Sequence, residues 1–390
     1  MSIRFEVRTL DVFDKPDFEL VRAELFLNEQ SKSTGWGRDA DVEVAQHKAV
    51  GEAFERFAAR QLPPSHLAPA LALPHYMHPD WLVRYASEQY ERPGFPFTRF
   101  DRVQPRLWIN ATEVAGGTSV PVLADHVCMP GAFDKEYRAK LVTHASTSGC
   151  ATATTVKDAI LRATFEVIER DAFMRHWLRQ QGGLPVAIPS LPVRFQTRLG
   201  RLEEQGCRVG VQCLTLGHHP VWLVWAQSAA RHFTAIGTAC GDNAERALES
   251  ACSELETMAL VRIEDVEWTP IEPQAVVTPG DHAALYATPR YFRMADALWD
   301  RTVADMIPFD DVAARCVIER DALFSKLASA DCQVHWVDLT PPDLGQDAPG
   351  LHSVRVLMPG AIPMSFGYGR MPLGMTLRYA KRATFPHPFA

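Results

Sequence analysis

Residues 165–173 read FEVIERDAF. Glu166, Glu169, Arg170 and Asp171 crowd into a short helical stretch among Phe165, Val167, Ile168, Ala172 and Phe173. Glu166 and Glu169 stand at i and i+3, where neighbouring like charges destabilise a bare helix. The stretch therefore raises one question: whether its carboxylates face water or a cationic partner. Its upstream context matters, because the helix begins AILRATFEVIER (159–170), placing Ala159, Ala163 and Glu166 at i, i+4 and i+7 on one face.

Two other segments repeat that spacing. AQHKAVGEAFER (45–56) sets Ala45, Ala49 and Glu52 in the same order, and ALESACSELETM (247–258) sets Ala247, Ala251 and Glu254. Paired alanines allow another element to approach closely, so the glutamate lies on the close-packed face. For a single helix, ordinary Glu–Arg salt bridging is the plainer reading. For three helices with one small-small-acid face, a shared acidic site is the better one.

The rest of the chain frames these helices. It has 390 residues, 47% hydrophobic and 22% charged, which is ordinary globular composition with ample length for a large core. Net charge is −7, from 40 basic and 47 acidic residues, so no generic attraction to nucleic acid is expected. No apolar run approaches the roughly 18–20 residues of a membrane span. The N-terminus MSIRFEVRTLDVFDK alternates like a strand and does not read as a signal peptide. Eight cysteines are scattered without a CxxC pair, which suits buried thiols in a reducing cytoplasm and argues against zinc.

Periodicity predicts a strand at 20–28, a Gly-containing loop at 33–41, and a helix over 42–61. Residues 62–105, rich in Pro, His and aromatics, are expected to form an irregular covering segment. A strand is expected at 118–124 and a long helix at 156–179. Three runs at 207–216, 221–229 and 232–240 predict an antiparallel meander. Gly241-Asp242-Asn243 should cap a helix ending near Ile263. A helix is expected over 319–330 and strands at 332–340 and 352–360. The sum is a mixed α/β protein, with helices covering an antiparallel or mixed sheet.

A carboxylate cluster repels phosphate directly and can hold it only through a hard cation such as Mg2+. Arg170 could meet phosphate oxygens with its planar fork. Neither GxxxxGK[ST] nor a GxGxxG after a strand is present, so a Mg-nucleotide site would be of an unusual kind. Other polar groups read as structural: His144 with Ser146, Thr147 and Ser148 as a polar loop, and His75 and His78 as surface residues. His218 and His219 read as a hairpin turn, Trp222 and Trp225 as core, Arg246 and Glu249 as a solvated pair, and Asp310 and Asp311 as surface loop.

AVGEAFER (49–56), TSGCATATTVKDAILRATFEVIERDA (147–172) and ALESACSELE (247–256) resemble signatures of the YcaO family. VLMPGAIPMSFGYGRMPLG (356–374) and the terminal PHPFA (386–390) resemble the end of its azoline-forming, cyclodehydratase members. The resemblance implies a single YcaO domain over 1–390, with nucleotide-site segments at 30–61, 144–180 and 232–263 and a Pro-containing tail at 375–390. It implies ATP and Mg2+ as cofactors. Carried over by position, Glu52, Glu166, Glu169 and Glu254 would face metal, while Glu55, Thr154, Asp158 and Arg170 would line the nucleotide. The Ala390 carboxylate would be a proton acceptor, with the pKa of a weak base. Gly35-Trp36-Gly37 stands where many members carry a Gly-Lys-Gly loop, with Arg38 as substitute cation, and Thr257 follows the third glutamate where a glutamine is common.

The implied activity is ATP-dependent formation of thiazoline or oxazoline rings on a ribosomally made precursor peptide in the cytoplasm. The implied partners are that peptide, a leader-binding protein, and an FMN-dependent dehydrogenase where azolines are oxidised; no nucleic acid or membrane is implied. Thioamide or macrolactamidine formation, and a noncatalytic scaffold in a peptide-modifying complex, are the alternatives.

Overall fold

The computed structural model describes residues 3–10, 18–215, 219–264, 269–300, 306–316, 320–341, 350–376, 379 and 383–389. They pack as two compact units: Met1–Val167 with Phe324–Pro363, and Ile168–Leu323 with Met364–Ala390.

The first unit begins with an antiparallel sheet of β1 (Ile3–Leu10), β2 (Glu19–Leu27) and β3 (Gln30–Asp39), in that order. Asn28 and Glu29 close the β2–β3 hairpin, both with positive φ (49° and 61°), as a two-residue turn matched to strand twist requires. On β2, Val21, Ala23 and Leu25 point to one face and are fully buried against α1 (Val42–Ala58). Asp41 caps α1 by accepting the N–H groups of Glu43 and Val44.

The segment 33–41, expected as a loop, is mostly β3. Its glycines are there for contact with the helix and not for a turn. A Cβ on Gly35 would collide with the Ala49 carbonyl oxygen and the Ala53 nitrogen, and one on Gly37 with the Ala45 carbonyl oxygen. Glycine on the strand and alanine on the helix together let the two backbones touch.

A six-stranded sheet completes this unit: β4 (His66–Pro69), β5 (Pro105–Glu113), β6 (Ser119–Leu123) and β7 (Cys150–Ala153), with β12 (His335–Asp338) and β13 (His352–Leu357) from the later chain. Its order is β4-β5-β12-β13-β7, and β6 also pairs with β5. Ile109, Ala111, Val122, Leu141, Val337 and Leu357 form its core, each large side chain contributing about 1.5–3 kcal/mol. Residues 62–105 are largely irregular, with the short α2 (Ser87–Tyr90) and a ring cluster of Tyr85, Tyr90, Phe95 and Phe97. Two further one-turn helices follow, α3 (Ala124–Val127) and α4 (Lys135–Arg138).

The long helix α5 (Val156–Arg179) contains the boundary between the units. In the second unit, β8 (Leu184–Val186) and α6 (Val193–Glu204) precede the expected meander of β9 (Arg208–Thr215), β10 (Pro220–Ser228) and β11 (Phe233–Cys240). The strand order is β11-β10-β9-β8, all antiparallel. Every residue of β10 is buried. Asn243 caps α7 (Ala244–Ile263), which lies across β10 and β11. The Gly–Ala contact of the first unit recurs here, since a Cβ on Gly237 would collide with the Ala251 carbonyl oxygen. Trp222 stacks on Phe309 (5.7 Å) and Trp225 on Trp299 (4.4 Å), both as core residues.

Two further readings are corrected. Arg246 pairs with Asp242 at 3.0 Å, whereas Glu249 pairs with the buried Arg198, which also meets Glu256 at 2.6 Å and Ser253 at 3.0 Å. A buried guanidinium requires such partners, and α6 supplies it to α7. Asp310 and Asp311 open a helix, α9 (Phe309–Cys316), where negative charge suits the dipole. Between α7 and α9 lies α8 (Pro279–Leu285). The predicted late helix is α10 (Arg320–Ser329); Glu319 and His218 lie outside the described residues.

Candidate active site

In the first unit the acids gather where α1 and α5 meet strand backbones. Glu52 accepts the main-chain N–H of Trp36 through Oε2, and its Oε1 lies 2.7 Å from Arg56. Glu166 accepts the N–H of Gly149 at 3.2 Å, just before β7. Glu55 is half-buried as a residue, yet burial is the first cause driving its carboxyl well above the ordinary value; repulsion from Glu166 and Glu52 adds to it. Arg56 and Arg355 oppose that rise without cancelling it. Glu52, Glu55 and Glu166 are therefore brought within electrostatic reach of one another.

Arg355 was missed in the sequence. It sits on β13, is buried, and donates to the Ser146 carbonyl and to Cys150 Sγ (3.2 Å). Its signal was a lone arginine inside the apolar run SVRVLM (353–358). Burial first, eased by Arg355, pushes the Cys150 thiol up to about 11, so it is not a nucleophile at neutral pH.

In the second unit Thr238 joins two acids. Its N–H donates to Glu254 at 3.0 Å and its Oγ1 donates to Glu169, which is 8% exposed. Arg170 lies 2.7 Å from Glu169 and places its guanidinium 4.1 Å from the Phe389 ring. Asp171 holds a different arginine, Arg175, at 2.8 Å one turn along.

Thr154 and Asp158 stand at the start of α5. Thr154 is exposed, and Asp158 exchanges hydrogen bonds with Thr155 in the manner of a helix cap. About 12 Å of helix separates Asp158 from Glu166. Ala390 lies outside the described residues. The 144–148 segment is a polar loop in which Ser146 bonds Ser148 at 3.0 Å, while His144 packs edge-on against Phe97 at 4.9 Å.

The donor set fits Mg2+. It is made of carboxylates, which hard cations prefer, and Glu55 lies within electrostatic reach of both Glu166 and Glu52. Among the described residues no three His, Cys, Asp or Glu side chains converge to hold an ion on their own. Mg2+ asks for less: one or two carboxylates, with water and phosphate oxygens completing its shell. Among the described residues, no helix is long and apolar enough to cross a membrane.

The fold is similar to that of a heterocyclase solved with substrate and cofactor (TM-score 0.78, 17% identity, 99% of this chain and 55% of that one). It is similar to YcaO from Methanopyrus kandleri bound with AMPPCP and Mg2+ (0.63, 17%, 95% and 89%). It is also similar to a chain of the E. coli microcin synthetase McbBCD complex (0.67, 12%, 97% and 96%). An uncharacterized protein of Methanothermobacter thermautotrophicus is 29% identical over 168 residues, 43% of this chain and 40% of that protein. The chain thus spans about half the length of the first of these structures, and its match covers less than half of that relative. Residues 36–362, which run through segments of both units, match the YcaO cyclodehydratase family, described as ATP- and Mg2+-binding. With most of its length matched, this chain belongs to the YcaO cyclodehydratase family.

Proposed function

We propose that the chain is an ATP-dependent cyclodehydratase component that forms thiazoline or oxazoline rings on a ribosomally made precursor peptide. The observation that carries this reading is the gathering of Glu52, Glu55 and Glu166 inside a family described as binding ATP and Mg2+. When bound, Mg2+·ATP supplies an electrophilic phosphoryl group whose charge the metal offsets.

The chain's own residues position and compensate. Glu52, Glu166, Glu169 and Glu254 are proposed metal ligands. Three of them are steered by main-chain N–H groups, and Glu169 by Thr238 Oγ1. Such anchoring removes rotamer freedom before the ligand arrives. Glu55 and Arg170 are proposed to line the nucleotide, with Thr154 and Asp158 at the start of α5. The substrate's own Cys, Ser or Thr side chain attacks the preceding carbonyl, so no protein nucleophile is required. The attacking group gives up its proton, the resulting oxyanion takes the phosphoryl group, and phosphate leaves as the amide proton is lost and the C=N bond of the ring forms. ATP becomes ADP and phosphate, and the peptide loses one water. The Ala390 carboxylate is the proposed proton acceptor. Support comes from the tail: Phe389, its neighbour, is buried and stacked with Arg170.

The heterocyclase was solved with substrate and the microcin synthetase is a complex. By that analogy the proposed partners here are the precursor peptide, a leader-binding protein and an FMN-dependent dehydrogenase. The test is reconstitution with peptide, partner and Mg2+·ATP, followed by mass spectrometry. Loss of one water per ring with matching ADP release is expected. Exchange of oxygen for sulfur would replace this reading with thioamide formation, and no ATP turnover would leave a scaffold.

A further inference from the structure

We propose that His282 is a positioning residue that clamps the C-terminal tail, so that Phe389 stands beside Arg170. Its catalytic consequence rests on the function proposed above; the clamp itself does not.

Three consecutive carbonyls of the tail each meet a different side-chain donor. Trp177 Nε1–H donates to the Phe385 carbonyl (3.1 Å), Tyr286 O–H to that of Pro386 (2.8 Å) and His282 Nδ1–H to that of His387 (2.7 Å). Pro386 and Pro388 have no N–H to donate, and it is the carbonyls of this stretch that take up the side-chain donors. His282 and Tyr286 are one helical turn apart, at the end of α8, and are 1% exposed each.

His282 does more than donate. Its Nε2 accepts the N–H of Gly367 at 3.0 Å, so both ring nitrogens are used and the neutral tautomer is fixed. One imidazole thereby ties the tail to the segment holding Phe366 and Gly367. His387 repeats the tie, with Nε2 3.0 Å from the Ser365 carbonyl, and its ring lies 4.4 Å from that of His282. Two residues further on, Phe389 packs against Phe173 (5.4 Å) and under Arg170 (4.1 Å), and Arg170 pairs with Glu169. Burial keeps His282 neutral, its pKa lowered to about 4, which agrees with the acceptor role of Nε2.

The test is amide hydrogen exchange of the full chain without ligands, read on the C-terminal peptide and on α7 as a control, with ATP turnover measured alongside in the reconstituted system. His282→Ala should speed exchange at Ala383, Phe385, His387 and Phe389 about tenfold, as loss of a buried hydrogen bond implies, and leave α7 protected. The same variant should lower kcat for ring formation while leaving KM for ATP unchanged. His282→Asn, which keeps a donor near Nδ1, should recover part of both. If His282→Ala unprotects α7 as well, Tyr286→Phe decides, since it removes one hydroxyl and nothing else. Tail exchange as slow as wild type in the decisive variant would overturn the clamp. A released tail with unchanged kcat would overturn the positioning role. A released tail in a chain whose wild type forms no rings would refute the proposed function and leave the clamp standing.

Discussion

Glu52 accepts the main-chain N–H of Trp36, sixteen residues earlier on the strand that its own helix covers. Glu254 and Thr238 repeat this contact at the same separation of sixteen, and Glu166 reaches Gly149 at seventeen. In the first two cases a strand glycine (Gly35 or Gly237) precedes the donor and touches a helix alanine backbone. The acid is aimed by the same close packing that the alanines permit.

That packing sets a stability contrast. Gly35→Ala and Gly237→Ala place a methyl inside helix backbone and should each cost about 2–4 kcal/mol. Gly51→Ala, in the middle of α1 with open space around its Cβ position, should instead stabilise by about 0.5–1 kcal/mol. Urea unfolding of the three variants checks the signs.

This contrast also shows what was legible. The A-x3-A-x2-E spacing marked the three helices and the face on which their acids lie. It did not reveal that Gly35 and Gly37 belong to a strand, because glycine pairs look like turns until the helix that needs them is in place. Arg355, Thr238 and His282 were illegible for another reason. Each acts through partners distant in sequence, such as Glu55, Glu169 and the His387 carbonyl. Thr154 and Asp158 were assigned by resemblance; in the fold Asp158 donates its N–H to Thr155 Oγ1, which caps the helix, and its carboxylate accepts from the same hydroxyl.

Thr238 serves two acids through different atoms. Thr238→Val keeps the N–H to Glu254 and removes Oγ1 from Glu169, so ATP turnover should fall about tenfold with the fold intact. Thr238→Ser should retain most activity. Steady-state kinetics with thermal melts as control distinguishes the two.

Glu55 carries a proton more readily than an ordinary glutamate, chiefly through burial and then through Glu166 and Glu52. A raised carboxyl pKa favours the fold below the ordinary value of 4.5 and withdraws that contribution as pH rises toward the raised value. Glu55→Gln should therefore raise Tm at neutral pH without Mg2+. In the wild type Mg2+·ATP binding should release protons and weaken as pH falls, which calorimetry in buffers of different ionisation enthalpy detects.

Buried neutral histidines give the opposite slope. Burial lowers His282 to about 4 and His126 to about 3, and it lowers His387 too, with His282 and Arg170 adding to the effect. The unfolded chain takes up these protons first, so stability is complete above about pH 6.5 and falls below it. Each such histidine should remove about 1.4 kcal/mol per pH unit down to its lowered value. His126→Gln should flatten the acid limb of a Tm–pH curve.

The most direct test of the account is titration of ATP into the chain with Mg2+ and with EDTA, for the wild type and for Glu52→Gln with Glu166→Gln. The account predicts binding that requires Mg2+ and is lost in the double variant while the melting profile is retained. Equal binding in EDTA, or undiminished Mg2+-dependent binding by the double variant, would contradict it.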